Sequence, residues 1–290
     1  MGHIVEIKNL KKRYKGFLLD RISMSVPESC IMGLIGPNGA GKTTTIKILM
    51  NMVRVESGEV QIFGLDHIKG EKAIKNRLGY VGEDQYYYGD KTVAWTGNFV
   101  SQFYDDWDKN RFQNYLTDFA ISRTKKIREL SKGMKVKFAL ALALSHNPDL
   151  VLLDEPTAGL DPIIRREVLE ILRGLTIDEN MSAIISSHIT DDIMRIADYV
   201  TFLIEGKIEL SETKDDLLAN WKRIHYKDGA LNAGLVDSLK NRKTHMFGNS
   251  GVTDRYLEIK DSIAQGLTEE TVKIENVNLD DILVSFAKGD

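Results

Sequence analysis

The sequence is poor in cysteine, has no long apolar run and carries no strong excess of charge of either sign. Cys30 is the only cysteine in 290 residues, which excludes an internal disulfide and favours a reduced compartment. No stretch approaches the roughly 18 apolar residues of a membrane-spanning helix, so we expect any membrane-spanning part to belong to another chain. The formal net charge of −3 gives no overall basic field, and we expect no nucleic acid as a partner.

The length and the residue pattern favour an α/β fold with an added small domain. A chain of 290 residues can bury one large core and still have room for an appendage. Residues 3–10 and 20–26 alternate polar and apolar side chains, which is typical of half-buried antiparallel strands. Residues 30–35 form a continuous apolar run, which predicts a buried strand, and residues 43–52 have the pattern of a helix.

A glycine-rich segment lies between that strand and that helix. Its residues are Gly36, Pro37, Asn38, Gly39, Ala40, Gly41, Lys42, Thr43 and Thr44. Glycines let successive backbone N–H groups turn inward toward an anion, and the next helix presents its positive N-terminus to the same phosphates. In this pattern Lys42 reaches the β- and γ-phosphates, and the Thr43 hydroxyl binds Mg²⁺. The segment therefore predicts that the chain binds ATP together with Mg²⁺.

A second apolar run, at 150–153, ends in the acid pair Asp154 and Glu155. Open parallel sheets bind ligands beyond the carboxyl ends of their strands, and a similar run at 181–186 also ends in a polar residue. Asp154 would hold the Mg²⁺ shell, and Glu155 would polarise the attacking water. A solvated turn is the weaker alternative, because four buried residues precede the pair. The pattern predicts ATP hydrolysis as well as binding.

Apolar residues recur at helical spacing between 92 and 147, which predicts an inserted helical subdomain at about 90–147. Within it, the segment Leu-Ser-Lys-Gly-Met at 130–134 opens a helix, with Ser131 as a good N-cap and Gly133 permitting close backbone approach. Two further segments follow, Ala-Gly-Leu-Asp at 158–161 and Ser-His at 187–188. With its motifs in this order, the chain resembles the ATP-binding subunits of ABC transporters over about residues 3–215.

This resemblance implies an α/β fold, namely a P-loop NTPase ABC cassette with an antiparallel β subdomain and an inserted helical subdomain. We expect the cassette to occupy residues 1–218 and a small α+β C-terminal extension of unknown role to occupy residues 219–290. The extension is more polar, with turn signals at 228–229 and 248–251 and an alternating pattern at 255–260 that predicts a strand. Asn278 and Asp281 resemble a capping box that opens a last helix.

The resemblance also implies roles for individual residues. In the family two cassettes form a head-to-tail dimer, so Ser131 and Gly133 would donate to the ATP held by the partner. His188 would contact the γ-phosphate and Glu155, although a histidine at a strand end is often only structural. Tyr14 matches the aromatic residue on which adenine stacks, unless it simply packs. Asp161 would shape the dimer interface beside the active site.

Three positions depart from the common family pattern. Glu83 stands where a metal-contacting glutamine is usual, so it is a candidate Mg²⁺ ligand, the alternative being a solvated or misaligned residue. Lys132 stands where glycine is commonest, and either adds a positive charge near the partner's nucleotide or points to solvent. Met134 stands where glutamine is common.

Aromatic residues are concentrated between 86 and 107. Trp95, Phe99, Phe103 and Trp107 recur every four residues and would form one apolar stripe on a helix. The stripe is interpreted as the core of the helical subdomain. The three tyrosines at 86–88 fall outside it, and the resemblance implies that they line a groove for a cytoplasmic helix of a membrane partner.

The resemblance implies ATP-driven dimerisation and ATP hydrolysis that power a membrane transporter, with export favoured as the direction. The expected partners are integral membrane permease subunits on separate chains and a second ATP-binding subunit, for which a second copy is favoured and a related chain stays open. The expected location is the cytoplasmic face of the cell membrane, as a peripheral protein. The alternatives are a soluble ABC ATPase without a transport role and, less favoured, a P-loop kinase.

Overall fold

The computed structural model describes residues 2–178, 181–245, 248–264 and 271–287. The chain divides into two compact units, Met1–Ile208 and Glu209–Asp290. The predicted functional division, with a cassette to 218 and an extension from 219, stays a prediction.

The first unit contains two sheets with helices between their strands. Its strands are β1 (His3–Tyr14), β2 (Phe17–Pro27), β3 (Ile31–Ile35), β4 (Ser57–Ile62), β5 (Leu65–Asp66), β6 (Leu78–Val81), β7 (Leu150–Asp154), β8 (Ser182–Ser187), β9 (Tyr199–Ile204) and β10 (Lys207–Thr213), the last of which leads into the second unit. Its α-helices are α1 (Lys42–Leu49), α2 (Glu71–Asn76), α3 (Val93–Val100), α4 (Lys109–Asp118), α5 (Lys132–Leu144), α6 (Pro162–Asp178) and α7 (Thr190–Ile196).

The N-terminal sheet is antiparallel, with the strand order β2-β1-β4-β5. The predicted alternation is confirmed in part of β1, where Val5 and Ile7 are buried and Glu6 and Lys8 are not. A register irregularity follows Ile7, and the next buried residue is Leu10. Glu6 and Lys8 form an exposed ion pair at 2.9 Å.

The second sheet has six strands in the order β10-β9-β3-β8-β7-β6. Strands β3, β6, β7, β8 and β9 pair in parallel, and every residue of β3, β7 and β8 is buried, as expected for strands covered on both faces. The register pairs Ile35 with Ser187, and Asp154 with Ser186. The carboxyl ends of these three strands therefore lie side by side, which brings together the segments that follow them.

The predicted helical region contains α3, α4, α5 and the two 3₁₀ turns Ser101–Phe103 and Ile127–Glu129. The prediction of one helical stripe ending at Trp107 is wrong, because α3 stops at Val100 and Tyr104 is extended. The Trp107 ring contacts the rings of Tyr104 and Phe112 instead. The core interpretation of the stripe is also wrong, since Trp95, Phe99 and Phe103 are all exposed, Phe103 to 66%.

No helix within the described residues is both long enough and apolar enough to cross a membrane. Cys30 is buried, and burial raises the pKa of its thiol to about 12, so this cysteine is a core residue.

The second unit has its own hydrophobic core. After α8 (Lys214–Asn220), its elements are β11 (Lys222–Tyr226), α9 (Ala233–Ser238), β12 (Lys240–His245), β13 (Gly248–Thr253), α10 (Tyr256–Ala264), β14 (Val272–Asn276) and α11 (Leu279–Ala287). The sheet order is β12-β13-β11-β14, with antiparallel pairs throughout. From β11 to β14 the order β-α-β-β-α-β is the ferredoxin-like arrangement. Its core consists of Ile224, Tyr226, Leu239, Ile263 and Val272.

Two predictions for this unit are wrong. Residues 256–260 of the predicted strand belong to the helix α10, because Tyr256, Ile259 and Ile263 recur at helical spacing and pack on the core. Residues 248–251 begin β13 instead of forming a turn. A Cβ at Gly251 would lie 2.7 Å from the Cβ of Leu239, so this glycine is required by close packing.

The predicted cap of the last helix is confirmed. The backbone N–H of Asp281 donates to Asn278 Oδ1 at 2.8 Å.

Candidate functional site

The glycine-rich segment forms the connection between β3 and α1. Gly39 and Gly41 have φ angles of 82° and 111°, a region that favours glycine, and Gly41 is the N-cap of α1. A Cβ on Gly36 would lie 2.0 Å from the carbonyl oxygen of Leu203, so no larger residue fits there. The connection is thus a tight loop that leads directly into the N-terminus of a helix.

The Lys42 side chain folds back over this loop and is only 5% exposed. Its ammonium group donates to the carbonyl oxygens of Gly36 at 2.8 Å and Pro37 at 3.3 Å, and it lies 3.2 Å from Glu155 Oε1. A buried cation is tolerated only with partners of this kind. The loop and the end of β7 are therefore joined through one positive charge.

Thr43 and Asp154 meet beside this lysine. The Thr43 hydroxyl donates to Asp154 Oδ1 at 3.1 Å, and the Ser186 hydroxyl donates to the same oxygen at 2.7 Å. Burial and the Asp154 charge raise the pKa of Tyr80 on the neighbouring strand β6. Two hydroxyl groups, one from the first turn of α1 and one from β8, thus orient one carboxylate.

Glu155 has a φ angle of 49°, an uncommon conformation for a residue other than glycine. Its backbone N–H donates to the carbonyl oxygen of Ser186 at 3.2 Å and to Ser186 Oγ at 3.0 Å. Glu155 Oε2 lies 2.8 Å from His188 Nδ1 and accepts from the His188 backbone N–H at 3.3 Å. Because a carboxylate only accepts hydrogen bonds, the imidazole Nδ1 donates in this contact.

A pocket of about 560 Å³ opens over these groups. It is lined by Tyr14, Phe17, Asn38, Gly39, Gly41, Lys42, Thr43, Thr44, Glu83, Glu155 and His188. Its walls thus combine an aromatic end, a loop of backbone N–H groups and a cluster of charged side chains.

Four predicted residues near the pocket do not line it. Gly36, Pro37 and Asp154 act through Lys42 and Thr43, which they contact directly. Ala40 is buried beneath the loop, where its carbonyl oxygen accepts from the backbone N–H of Gly206 at 3.1 Å.

Tyr14 and Phe17 form the aromatic end of the pocket. They are paired residues at the tip of the β1–β2 hairpin, with Gly16 between them at a φ angle of 84°. Phe17 was not among the predicted site residues. The hairpin signal was present, because a glycine-containing two-residue turn makes its flanking residues direct neighbours.

Ser186 was also missed as an individual site residue. The predicted strand at 181–186 indicated its position, but the contacts of its hydroxyl group and carbonyl oxygen with Asp154 and Glu155 depend on the pairing of β7 with β8.

Ser131 and Gly133 do not line this pocket. Ser131 is the N-cap of α5 and accepts from the Met134 backbone N–H at 3.3 Å, as predicted for the helix start. Gly133 is buried against Ile164, whose Cγ2 would lie 2.5 Å from an added Cβ. Lys132 is exposed and extends over Gly159, where an added Cβ would lie 2.6 Å from its ammonium nitrogen.

Comparisons with known proteins place this arrangement in context. The family model described as ABC transporter matches residues 19–158. The bacitracin transport ATP-binding protein BcrA of Bacillus licheniformis is 35% identical over 211 residues, which cover 72% of this chain and 69% of that protein. The lantibiotic transport ATP-binding protein SrtF of Streptococcus pyogenes is 33% identical, with coverage of 73% of this chain and 92% of that protein.

One relative extends over both units. The ABC transporter ATP-binding protein YtrB of Bacillus subtilis is 26% identical over 292 aligned positions, which cover 99% of each chain. Among solved structures, one described as the ATP binding subunit of an ABC transporter superposes with a TM-score of 0.67 at 25% identity, covering 74% of this chain and 92% of that one.

Proposed function

Because this chain belongs to the ABC transporter family as an ATP-binding subunit, we propose that it hydrolyses ATP to power transport through separate membrane subunits. The observation that carries the proposal is the convergence of Lys42, Glu155 and His188 on one pocket. The Lys42 ammonium group lies 3.2 Å from Glu155, and the His188 imidazole lies 2.8 Å from the same side chain. A phosphate-binding cation, a general base and a residue that orients the base are thereby assembled.

ATP binds along the length of the pocket. Adenine stacks on Tyr14, with Phe17 beside it, and the phosphates lie in the loop of residues 36–44, where backbone N–H groups and the N-terminus of α1 favour negative charge. Lys42 contacts the β- and γ-phosphates, since its ammonium group is already held inside that loop.

The oxygen donors beside the loop fit Mg²⁺. Thr43 and Asp154 lie within 3.1 Å of each other, and Glu83 lines the same pocket. These residues would hold a magnesium ion, which would neutralise charge on the phosphates.

Hydrolysis depends on Glu155 and His188. The Glu155 carboxylate accepts a proton from the attacking water, whose oxygen bonds to the γ-phosphorus as the bond to ADP breaks. His188 donates from Nδ1 to that carboxylate, and in its protonated form it also donates from Nε2 to the γ-phosphate. The strained backbone of Glu155 is consistent with a catalytic position, because such conformations persist where the surrounding structure fixes them.

A second ATP-binding subunit completes the site, and a second copy of this chain is the simplest candidate. Ser131 and Gly133 lie outside their own chain's pocket, and Ser131 is exposed at the start of α5, which supports a role of this helix start at ATP held by the partner. Lys132 would then carry its positive charge at the same interface. ATP joins the two subunits, and hydrolysis separates them, which gives a two-state element controlled by the γ-phosphate.

The membrane subunits bind and select the transported substrate. The relatives named for bacitracin and lantibiotic transport support a peptide-like antibiotic as cargo and export as the direction. Tyr86 and Tyr88 are exposed to 90% and 66%, which supports a role for this surface in receiving a segment of the membrane partner. The chain would then reside at the cytoplasmic face of the membrane as a peripheral subunit.

The test is recovery of the partner from gently solubilised native membranes. Tagged Glu155→Gln protein is incubated with ATP, because loss of the general base should preserve the closed dimer while hydrolysis falls by at least about 100-fold. Wild-type protein with ADP is the control. We expect the Glu155→Gln variant with ATP to recover a polytopic membrane protein. The wild-type protein with ADP should recover less of that membrane protein or none. Recovery of ribosomes or soluble partners alone would contradict the transport role and favour a soluble ABC ATPase.

A further inference from the structure

Asp192, in the first turn of α7, is a buried carboxylate that joins three segments of the chain. It is 2% exposed and lies four residues after His188. Its Oδ2 accepts from the Thr157 hydroxyl at 2.6 Å, and its Oδ1 accepts from Arg165 Nε at 2.6 Å. One side chain therefore ties the turn after β7 and the first turn of α6 to the helix that follows His188.

The two tied residues enclose the loop that leads from Glu155 into α6. Thr157 lies two residues after Glu155, and Arg165 lies four residues after Asp161. Asp161 is itself oriented by α6, because its Oδ1 accepts from the backbone N–H groups of Ile163 and Ile164, each at 3.1 Å. Asp192 thus fixes both ends of the segment that carries Asp161.

The conformation of Glu155 explains why such a restraint is needed. A non-glycine residue with a φ angle of 49° is disfavoured and keeps that conformation only when neighbouring contacts determine it. On the N-terminal side of Glu155, its backbone N–H is restrained because it donates to the Ser186 hydroxyl group. Downstream, the first side-chain restraint in the described structure is the bond from Thr157 to Asp192.

The chemistry of the cluster also favours positioning over simple packing. Burying a carboxylate costs free energy that a well-packed apolar group would not incur. Hydrogen bonds to a charged acceptor are short and directional, so they fix the relative positions of the groups that they join. Glu155 and His188 contact each other at 2.8 Å. The turn that follows Glu155 and the helix that follows His188 are also joined to each other by the hydrogen bond between Thr157 and Asp192.

We propose that Asp192 is a positioning residue for ATP hydrolysis, which holds the turn after Glu155 and the helix after His188 in the register that keeps these two side chains in contact. The proposal rests on the proposed function of Glu155 as the general base. Asp192 does not line the ATP pocket and acts only through Thr157 and Arg165.

The decisive variant is Thr157→Val, which keeps the shape of the side chain and removes its hydroxyl group. We expect the kcat for ATP hydrolysis to fall by about tenfold, because a hydrogen bond to a charged acceptor is lost, while the KM for ATP changes by less than about twofold. Thr157→Ser restores the hydroxyl and should return kcat to within about twofold of wild type. Thr96→Val, at another buried threonine in α3, is the matched control and should leave kcat unchanged.

Arg165→Lys is the second variant, since it keeps the positive charge but not the geometry of the guanidinium group. It should lower kcat without raising KM, and it decides the question if Thr157→Val fails to fold. Normal kcat in both variants, or a loss in Thr157→Val that Thr157→Ser does not restore, would overturn the positioning role. Absence of turnover in the wild-type dimer would instead contradict the proposed function, so the two failures are distinguishable.

Discussion

Glu83 lines the same pocket as Glu155, so two carboxylates face the space in which we propose the phosphates of ATP to bind. Glu83 offers an oxygen ligand with a full negative charge. That charge strengthens metal binding and opposes the negative charge of the γ-phosphate. The Glu83 carboxylate therefore favours binding of Mg²⁺ and disfavours binding of the γ-phosphate.

Replacing Glu83 with glutamine separates these effects. In Glu83→Gln we expect the Mg²⁺ concentration for half-maximal ATPase activity to rise by about threefold to tenfold, which corresponds to at most about 1.4 kcal/mol, while turnover at saturating Mg²⁺ rises. Mg²⁺ titrations of steady-state hydrolysis at fixed ATP measure both quantities. Asp84→Asn is the control variant, because the neighbouring Asp84 contacts Tyr86 and does not line the pocket. It should change neither the Mg²⁺ concentration for half-maximal activity nor the turnover at saturating Mg²⁺. Identical titrations for wild type and Glu83→Gln would exclude a metal-binding role.

The elements of the helical region present a row of aromatic rings to solvent. We call Tyr88, Trp95, Phe99 and Phe103 the aromatic ledge. Tyr88 contacts Trp95 edge-on at 6.0 Å between ring centroids, Trp95 stacks on Phe99 at 5.3 Å, and Phe99 contacts Phe103 at 5.3 Å. A continuous exposed aromatic surface of this kind is typical of a binding surface. Tyr87 differs, because it packs inward on Phe138 at 5.5 Å.

These contacts predict different results for adjacent tyrosines. The double variant Tyr86→Ala with Tyr88→Ala should abolish transport in reconstituted vesicles and leave basal ATPase within about twofold. It removes two exposed rings, and the contacts of Tyr88 with Trp95 and Phe99 stabilise the fold by only about 1 kcal/mol. Tyr87→Ala is the comparison variant, and it should lower the free energy of unfolding by roughly 2–4 kcal/mol. Thermal unfolding and substrate transport are measured on all variants. Unfolding of the double variant would indicate that the ledge is a packing surface.

At the scale of the whole molecule, the second unit has a separate core and a complete ferredoxin-like sheet. The match to YtrB extends over 99% of each chain, so that relative also spans this unit. We predict that the C-terminal residues contribute to dimer contacts. The bounds of the elements decide where a truncation can be made. A cut near Asn220 would separate α8 from α10, which it contacts, whereas a cut after Thr213 leaves β10 entire.

Truncation after Thr213 in the Glu155→Gln background tests this hypothesis. We expect the dissociation constant of the ATP-dependent dimer to rise about tenfold, a loss of about 1.4 kcal/mol of binding free energy. The reason is that the truncation removes the contacts made by the second unit and keeps the ATP pocket. Sedimentation at several protein concentrations, with and without ATP, measures the change. ATP affinity of the truncated chain serves as the control for folding and should stay within about twofold. An unchanged dimer would exclude the extension from the interface.

The sequence by itself determined the features that depend on contiguous residues. The loop at 36–44, the acid pair Asp154 and Glu155, and the N-terminal hairpin are each specified by a short pattern whose geometry follows from backbone preferences and from the spacing of apolar residues. The strand, loop and helix order around the glycine-rich segment was predicted for the same reason. The family and the fold class followed from these patterns in order along the chain.

Only the tertiary structure decided which distant residues meet and which apolar residues are buried. Ser186 reaches Glu155 across 31 residues, and Asp192 reaches Thr157 across 35, and both contacts depend on how strands and helices pack. Short apolar patterns also do not determine which residues are buried. The alternating pattern at 255–260 predicted a strand, whereas residues 256–260 form part of a helix. The aromatic stripe was interpreted as core, whereas Trp95, Phe99 and Phe103 are exposed. The physical reason is that local propensities are weak compared with the free energy of burying a surface, so packing against the rest of the molecule decides the outcome.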